Sequence, residues 1–254
     1  MSQSAPKKKK LTTILKIHYI KLCYRSALFL AALIAYIVYY PESSSLIYLG
    51  AHEQPWILAV IWIVLALEMA FRFFPSKLES MGCQKQFARN YRPTGVPVDQ
   101  IKPMPGIRTA ISAIAWLALN GLIGLLYYAG IIDEGILVLI CLAYSICDMI
   151  CILWFCPFET WFMRNRCCCT CRIYNWDFAM MCTPLIFIRS NYTGSLVLLS
   201  LILLLKWELT YRLHPERFST QTNESLSCAM CEEKLCQHKT QLKSLWKKYG
   251  RQGG

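Results

Sequence analysis

The chain has 254 residues, 56% of them hydrophobic, with 27 Lys and Arg against 15 Asp and Glu and a net charge of +12. Soluble domains hold about 45–50% apolar residues, and here the excess is gathered into long blocks, which excludes an ordinary soluble fold. The basic residues flank those blocks, so they read as the cytosolic bias of membrane loops rather than as a nucleic-acid footprint.

Residues 1–21 form a basic tail with Lys7, Lys8, Lys9, Lys10, Lys16 and Lys21. No small-residue cleavage site follows, so the first apolar block is a retained anchor. The spacing predicts six spans: about Leu22–Tyr40, Pro55–Phe74, Ile107–Ala129, Ile136–Cys156, Tyr174–Ile188 and Gly194–Tyr211. Each must satisfy its own backbone in lipid, so each is expected to be helical. The fifth is short for a crossing of about 20 residues and contains Asp177 and Pro184. The inner loops are 75–106 and 157–173, and residues 212–254 form a polar tail. The stretch Arg92–Gly106 holds four prolines and is not expected to be helical.

The charges fix an orientation. With the N-terminus in the cytosol, 26 of the 27 basic residues lie inside, and only Arg189 lies outside. The expectation is therefore an all-α bundle of about six helices in the cell membrane, with both termini cytosolic. Glu68 and Arg72 are spaced i, i+4 and predict a local ion pair. Lys206 and Glu208 are expected to snorkel to the inner interface. Gly121 and Gly124 are expected to admit a close neighbour helix.

The chain is organised around Cys156–Asp177, which holds five of its fourteen cysteines. A reducing cytosol disfavours structural disulfides on this face. Metal binding, redox chemistry, acylation and inert packing are the remaining readings. In the tail, Cys228, Cys231, Cys236 and His238 lie within eleven residues and offer a tetrahedral zinc set. An iron–sulfur cluster is less favoured because the spacing fits neither ferredoxin pattern. Haem is disfavoured because all four histidines lie outside the apolar cores. Cys168 and Cys171 form a second CxxC pair that could share a metal or redox site with the tail.

Asp148 is an acid within the fourth span, where it must face protein or water. Cys141, Tyr144, Asp148 and Cys151 fall on one helical face. Folding about the short turn at Gly130–Gly135 sets Trp116 opposite Asp148, with Asn120 one turn away. A polar intramembrane site of Asp148, Asn120, Tyr144 and Cys151 is therefore expected.

Three functions fit. One is a membrane-embedded enzyme or redox protein working through the cysteine-rich face. Another is a small-molecule or ion transporter using Asp148, with the tail as a metal module. The last is a structural membrane protein. The bilayer is the one partner expected, and no motif names a small-molecule substrate.

Overall fold

The computed structural model describes residues 12–39, 55–76, 81–97, 106–165, 167–231, 235, 236, 238 and 239. The lysine run at 7–10, the acidic loop at 41–54 and the basic aromatic end at 241–254 lie outside these residues.

The described chain is helical, and its only extended pairing is one antiparallel bridge between Pro93 and Asn223. The helices are α1 (Thr13–Tyr39), α2 (Pro55–Phe73), α3 (Met81–Lys85), α4 (Gly106–Tyr128), α5 (Glu134–Leu153), α6 (Asp177–Cys182) and α7 (Asn191–Leu213). Among the described residues, four helices are long and apolar enough to cross a membrane: α1 over Thr13–Val38, α4, α5 and α7. Their exposed side chains are large and apolar, such as Ile34, Ile37, Leu117 and Leu205. A face of that kind is stable in lipid and costly in water.

Contacts give the helix directions. Tyr19 stacks edge-on against Trp154, while Tyr36 donates to Asp133 at 2.9 Å, so α1 and α5 run antiparallel. Asp133 also caps α5, accepting from the Ile136 N–H at 2.8 Å. Trp62 donates to Ser195 at 2.8 Å, and Lys206 donates to the Phe73 carbonyl at 2.5 Å, so α2 and α7 run parallel. The starts of α1 and α4 and the ends of α2, α5 and α7 therefore share one end of the bundle. This basic end carries Arg72, Arg108, Arg172 and Arg212.

Three expectations are corrected here. The first helix begins at Thr13, a turn and more before Leu22. The segment Tyr174–Ile188 is not one helix. It is a 3₁₀ turn (Tyr174–Trp176), the six-residue α6, and a second 3₁₀ segment (Thr183–Phe187) with Pro184 in its first turn. Proline lacks an N–H and clashes with the preceding turn, so the α-helix cannot continue through it. Thirdly, Gly124 packs under the Phe187 ring, whereas Gly121 has no neighbour at its Cβ position. Only one of the two glycines admits a close approach.

The loop before α4 folds beneath Cys156–Asp177. Gln86 donates to the Cys169 carbonyl at 3.3 Å and accepts from the Asn175 amide at 2.6 Å. Asn223 is fully buried and donates to the Lys85 and Arg217 carbonyls at 3.0 and 2.9 Å. The inner loop, the cysteine-rich segment and the start of the tail thus form one cap on the basic end. Residues Arg92–Pro97 of the proline-rich stretch are non-helical, as expected.

Candidate functional site

A cavity of about 270 Å³ lies at the basic end, between α4, α5, α6 and the cysteine-rich segment. Pro157 starts the segment that closes it. A π-helical turn over Phe158–Met163 follows and ends at Arg164, which adopts the left-handed conformation at φ 50°. The π turn holds Glu159 buried against the cavity.

Five thiols line this space: Cys147, Cys151, Cys156, Cys168 and Cys171. Three carboxylates line it too, from Asp148, Glu159 and Asp177. Its aromatic walls are Trp116, Tyr144, Phe158 and Tyr174. Trp116 is held by a hydrogen bond from its ring N–H to Thr183 at 3.1 Å, and its ring centroid lies 4.6 Å from that of Tyr144.

The carboxylates are set by cations behind the wall. Arg25, only 2% exposed, donates to Asp148 at 3.1 Å, to the Ser145 carbonyl at 2.8 Å, and to both oxygens of Glu68. Arg72 pairs with Asp177 at 2.5 Å and lies over the Tyr174 and Phe178 rings. Glu68 and Arg72 each engage a partner on another helix or segment. Buried charges demand partners in low dielectric, and the facing elements supply them. The Asp177 side chain is nine-tenths buried; the Phe178 backbone N–H reaches its carboxylate, and its Oδ1 has no partner of good geometry.

Glu159 sits in a third arrangement. Cys168 donates to it at 3.1 Å, and Lys239 of the tail reaches both Glu159 at 3.2 Å and the Cys168 sulfur at 3.0 Å. Burial pushes the Cys168 thiol well up, so at neutral pH it stays a thiol and the charge pair is Lys239–Glu159. Cys156 behaves differently. Its hydrogen bond with Cys151 pulls its pKa down, burial opposes this, and the Glu159 N–H at 3.3 Å pulls it down further. Burial pushes Cys171 up to about 12.

The expected intramembrane residues meet at this cavity. Asp148, Tyr144 and Cys151 line it, opposite Trp116. Asn120 lies just behind, donating to the Trp116 carbonyl at 3.0 Å and hydrogen-bonded to Tyr144. Cys168 and Cys171 also line the cavity.

The tail set is not assembled. Among the described residues, no group of three or more His, Cys, Asp or Glu side chains is placed to hold a metal. Cys228 and Cys231 share a turn, with a backbone hydrogen bond of 3.4 Å between them. Cys236 instead hydrogen-bonds Cys167, and His238 meets the Tyr19 hydroxyl at 2.9 Å. Leu235 explains the split, because it packs with Leu15, Met149, Ile152 and Leu153 and draws the end of the motif onto the bundle.

Several residues at the cavity carried no sequence signal of their role. Arg25 looked like one more residue of a basic flank. Cys147 sits one position off the polar face of α5. Glu208 accepts two hydrogen bonds from Arg172, at 2.7 and 2.5 Å, and one from Trp176 at 2.6 Å. Lys206 likewise lies over the Phe87 ring at 4.8 Å.

No family model matches the chain, and neither a curated protein nor a solved structure resembles it.

Proposed function

We propose that the protein is a multi-pass membrane thiol–disulfide redox protein whose reactive pair, Cys151 and Cys156, lies in a cavity open to small molecules at the cytosolic end. The observation that carries the reading is the convergence of five thiols on one cavity. In this reading the chain crosses the membrane six times, with α2 and Tyr174–Ile188 as the additional crossings and both ends in the cytosol. The alternating helix directions support it, as do the 26 of 27 basic residues that fall on one side.

The chemistry follows from the hydrogen bond between Cys151 and Cys156. A thiolate is the nucleophile, and among the thiols that line the cavity Cys156 is the one whose pKa is drawn down. Its sulfur attacks one sulfur of a small organic disulfide, forming a mixed disulfide and expelling one thiolate, which takes up a proton. Cys151 then loses its proton and attacks the Cys156 sulfur. A Cys151–Cys156 disulfide closes, and the second substrate thiol leaves. One disulfide has been reduced to two thiols, and one dithiol has been oxidised. A cytosolic dithiol of the kind that keeps that compartment reducing returns the pair to its starting state.

The test is stoichiometric. Reduced protein in detergent should consume about one equivalent of a small disulfide and lose two titratable thiols. Cys151→Ser should block the second step and trap the mixed disulfide on Cys156, and Cys156→Ser should abolish the first step, so that no mixed disulfide forms there. A wild-type protein that keeps all its thiols in excess disulfide would rule the reading out.

A further inference from the structure

We infer that the thiol-lined cavity is a binding site for a small organic cation, such as a protonated amine with an apolar body. This deepens the redox reading by giving its disulfide substrate a positive charge, and it rests on that reading only for the chemistry performed there.

The argument starts from the sign of the wall. Asp148, Glu159 and Asp177 line the cavity, and no Lys, Arg or His does. Arg25, Arg72 and Lys239 bind these acids yet are absent from the lining, so each pair turns its negative member to the cavity. In a site of low dielectric such an arrangement attracts positive charge far more than it would in water.

The second observation is an unmet acceptor. Asp177 is nine-tenths buried and lines the cavity; beyond Arg72 and the Phe178 backbone N–H it has no donor, and Oδ1 has no partner of good geometry. A buried carboxylate oxygen without a donor costs about 1–3 kcal/mol or more. An N⁺–H of an entering ligand is the donor this atom lacks. Asp148 also lies within Coulombic reach of Asp177, so a cation beside one is drawn by both.

The third observation is the aromatic lining. Trp116, Tyr144, Phe158 and Tyr174 surround the same space. Ring faces carry negative quadrupole charge and bind ammonium groups, most strongly when water is excluded. The remaining wall, including Ile152, Met180 and Met181, suits an apolar body. Soft methionine side chains adapt to its shape. A volume of about 270 Å³ fits a small ligand, near the lower end of ligand pockets.

The experiment compares two probes of similar shape on the full chain in nanodiscs of zwitterionic lipid. The probes are 2-phenylethylammonium and neutral 2-phenylethanol, read by calorimetry against empty discs. The cation should bind about tenfold tighter than the alcohol at neutral pH. Asp177→Asn should bring that ratio close to unity. Should Asp177→Asn fail to fold, Tyr144→Leu serves in its place, and it should weaken the cation more than the alcohol. Equal affinity for the two probes, or no binding of either, overturns the inference. Binding is read as heat and not as thiol count. A protein that binds the cation but closes no Cys151–Cys156 bridge therefore keeps this inference and loses the redox reading.

Discussion

Arg25 on α1 donates to Asp148 on α5 at 3.1 Å, and the same guanidinium grips Glu68 on α2. Three helices far apart in sequence are thus fastened by one side chain. Removing one partner of a buried pair strands the others, at a cost of about 3–5 kcal/mol. Arg25→Met should therefore lower the thermal midpoint in detergent sharply. Adding Glu68→Leu and Asp148→Leu to that variant should recover much of the loss, because apolar replacements of a buried charge cluster are tolerated. A single Arg25→Met variant as stable as wild type would show that the cluster contributes nothing to the fold.

The cysteines of the loop differ in their reactivity with pH. Hydrogen bonds from Cys169 and then Cys236 push the Cys167 thiol down to about 2, with burial opposing. Cys171 is pushed up to about 12 by burial. Alkylation follows the thiolate fraction. Cys167 is already thiolate above its pKa, so its rate should be flat from about pH 5 to about pH 8. Cys171 should be slow and should gain about tenfold per pH unit over that range. Peptide-resolved rates with a small iodoacetamide check both. Cys236→Ala should raise the pKa of Cys167, and Cys169→Ala, which removes the larger hydrogen bond, should raise it more.

Glu208 anchors the cysteine-rich segment to α7 through Arg172 and Trp176. Glu208→Gln keeps the shape but loses the charge-assisted pair, which contributes about 1.5–3 kcal/mol per hydrogen bond to a charged group. Trypsin should cut within 157–173 faster in the variant, while cleavage elsewhere is unchanged. The segment also carries the Arg172 guanidinium at 3.7 Å over the Tyr211 ring, so Tyr211→Leu should give a smaller effect in the same direction.

Gly124 and Gly121 should respond oppositely to the same change. Gly124→Val drives a side chain into Phe187, and overpacking of this kind costs about 1–3 kcal/mol. Gly121→Val meets open space and should be neutral. Thermal midpoints of the two variants in one detergent make the comparison.

What the sequence revealed divides along physical lines. Long apolar blocks mark spans because lipid leaves the backbone no other partner, so the long helices were legible. The polar face of α5 was legible through its period, and the short turn before it placed Trp116 across from Asp148. Arg25 was not, because a basic residue near the end of a span looks the same whether it faces headgroups or a buried acid. Its partners sit 43 and 123 positions away, which no local pattern encodes. The tail motif's spacing permits a metal site, but spacing does not encode that Leu235 and Lys239 lie against the bundle, with Cys236 at Cys167 and His238 at Tyr19.

The most direct test of the account is a disulfide map. Full-length protein is equilibrated at graded ratios of cystamine to cysteamine, a small disulfide with two ammonium groups and its thiol, quenched by acid, alkylated and digested without reduction. The account predicts that the first bridge to form joins Cys151 to Cys156, and that Cys168 and Cys171 remain thiols at the same ratio. A first bridge elsewhere, or none at any ratio, would contradict it.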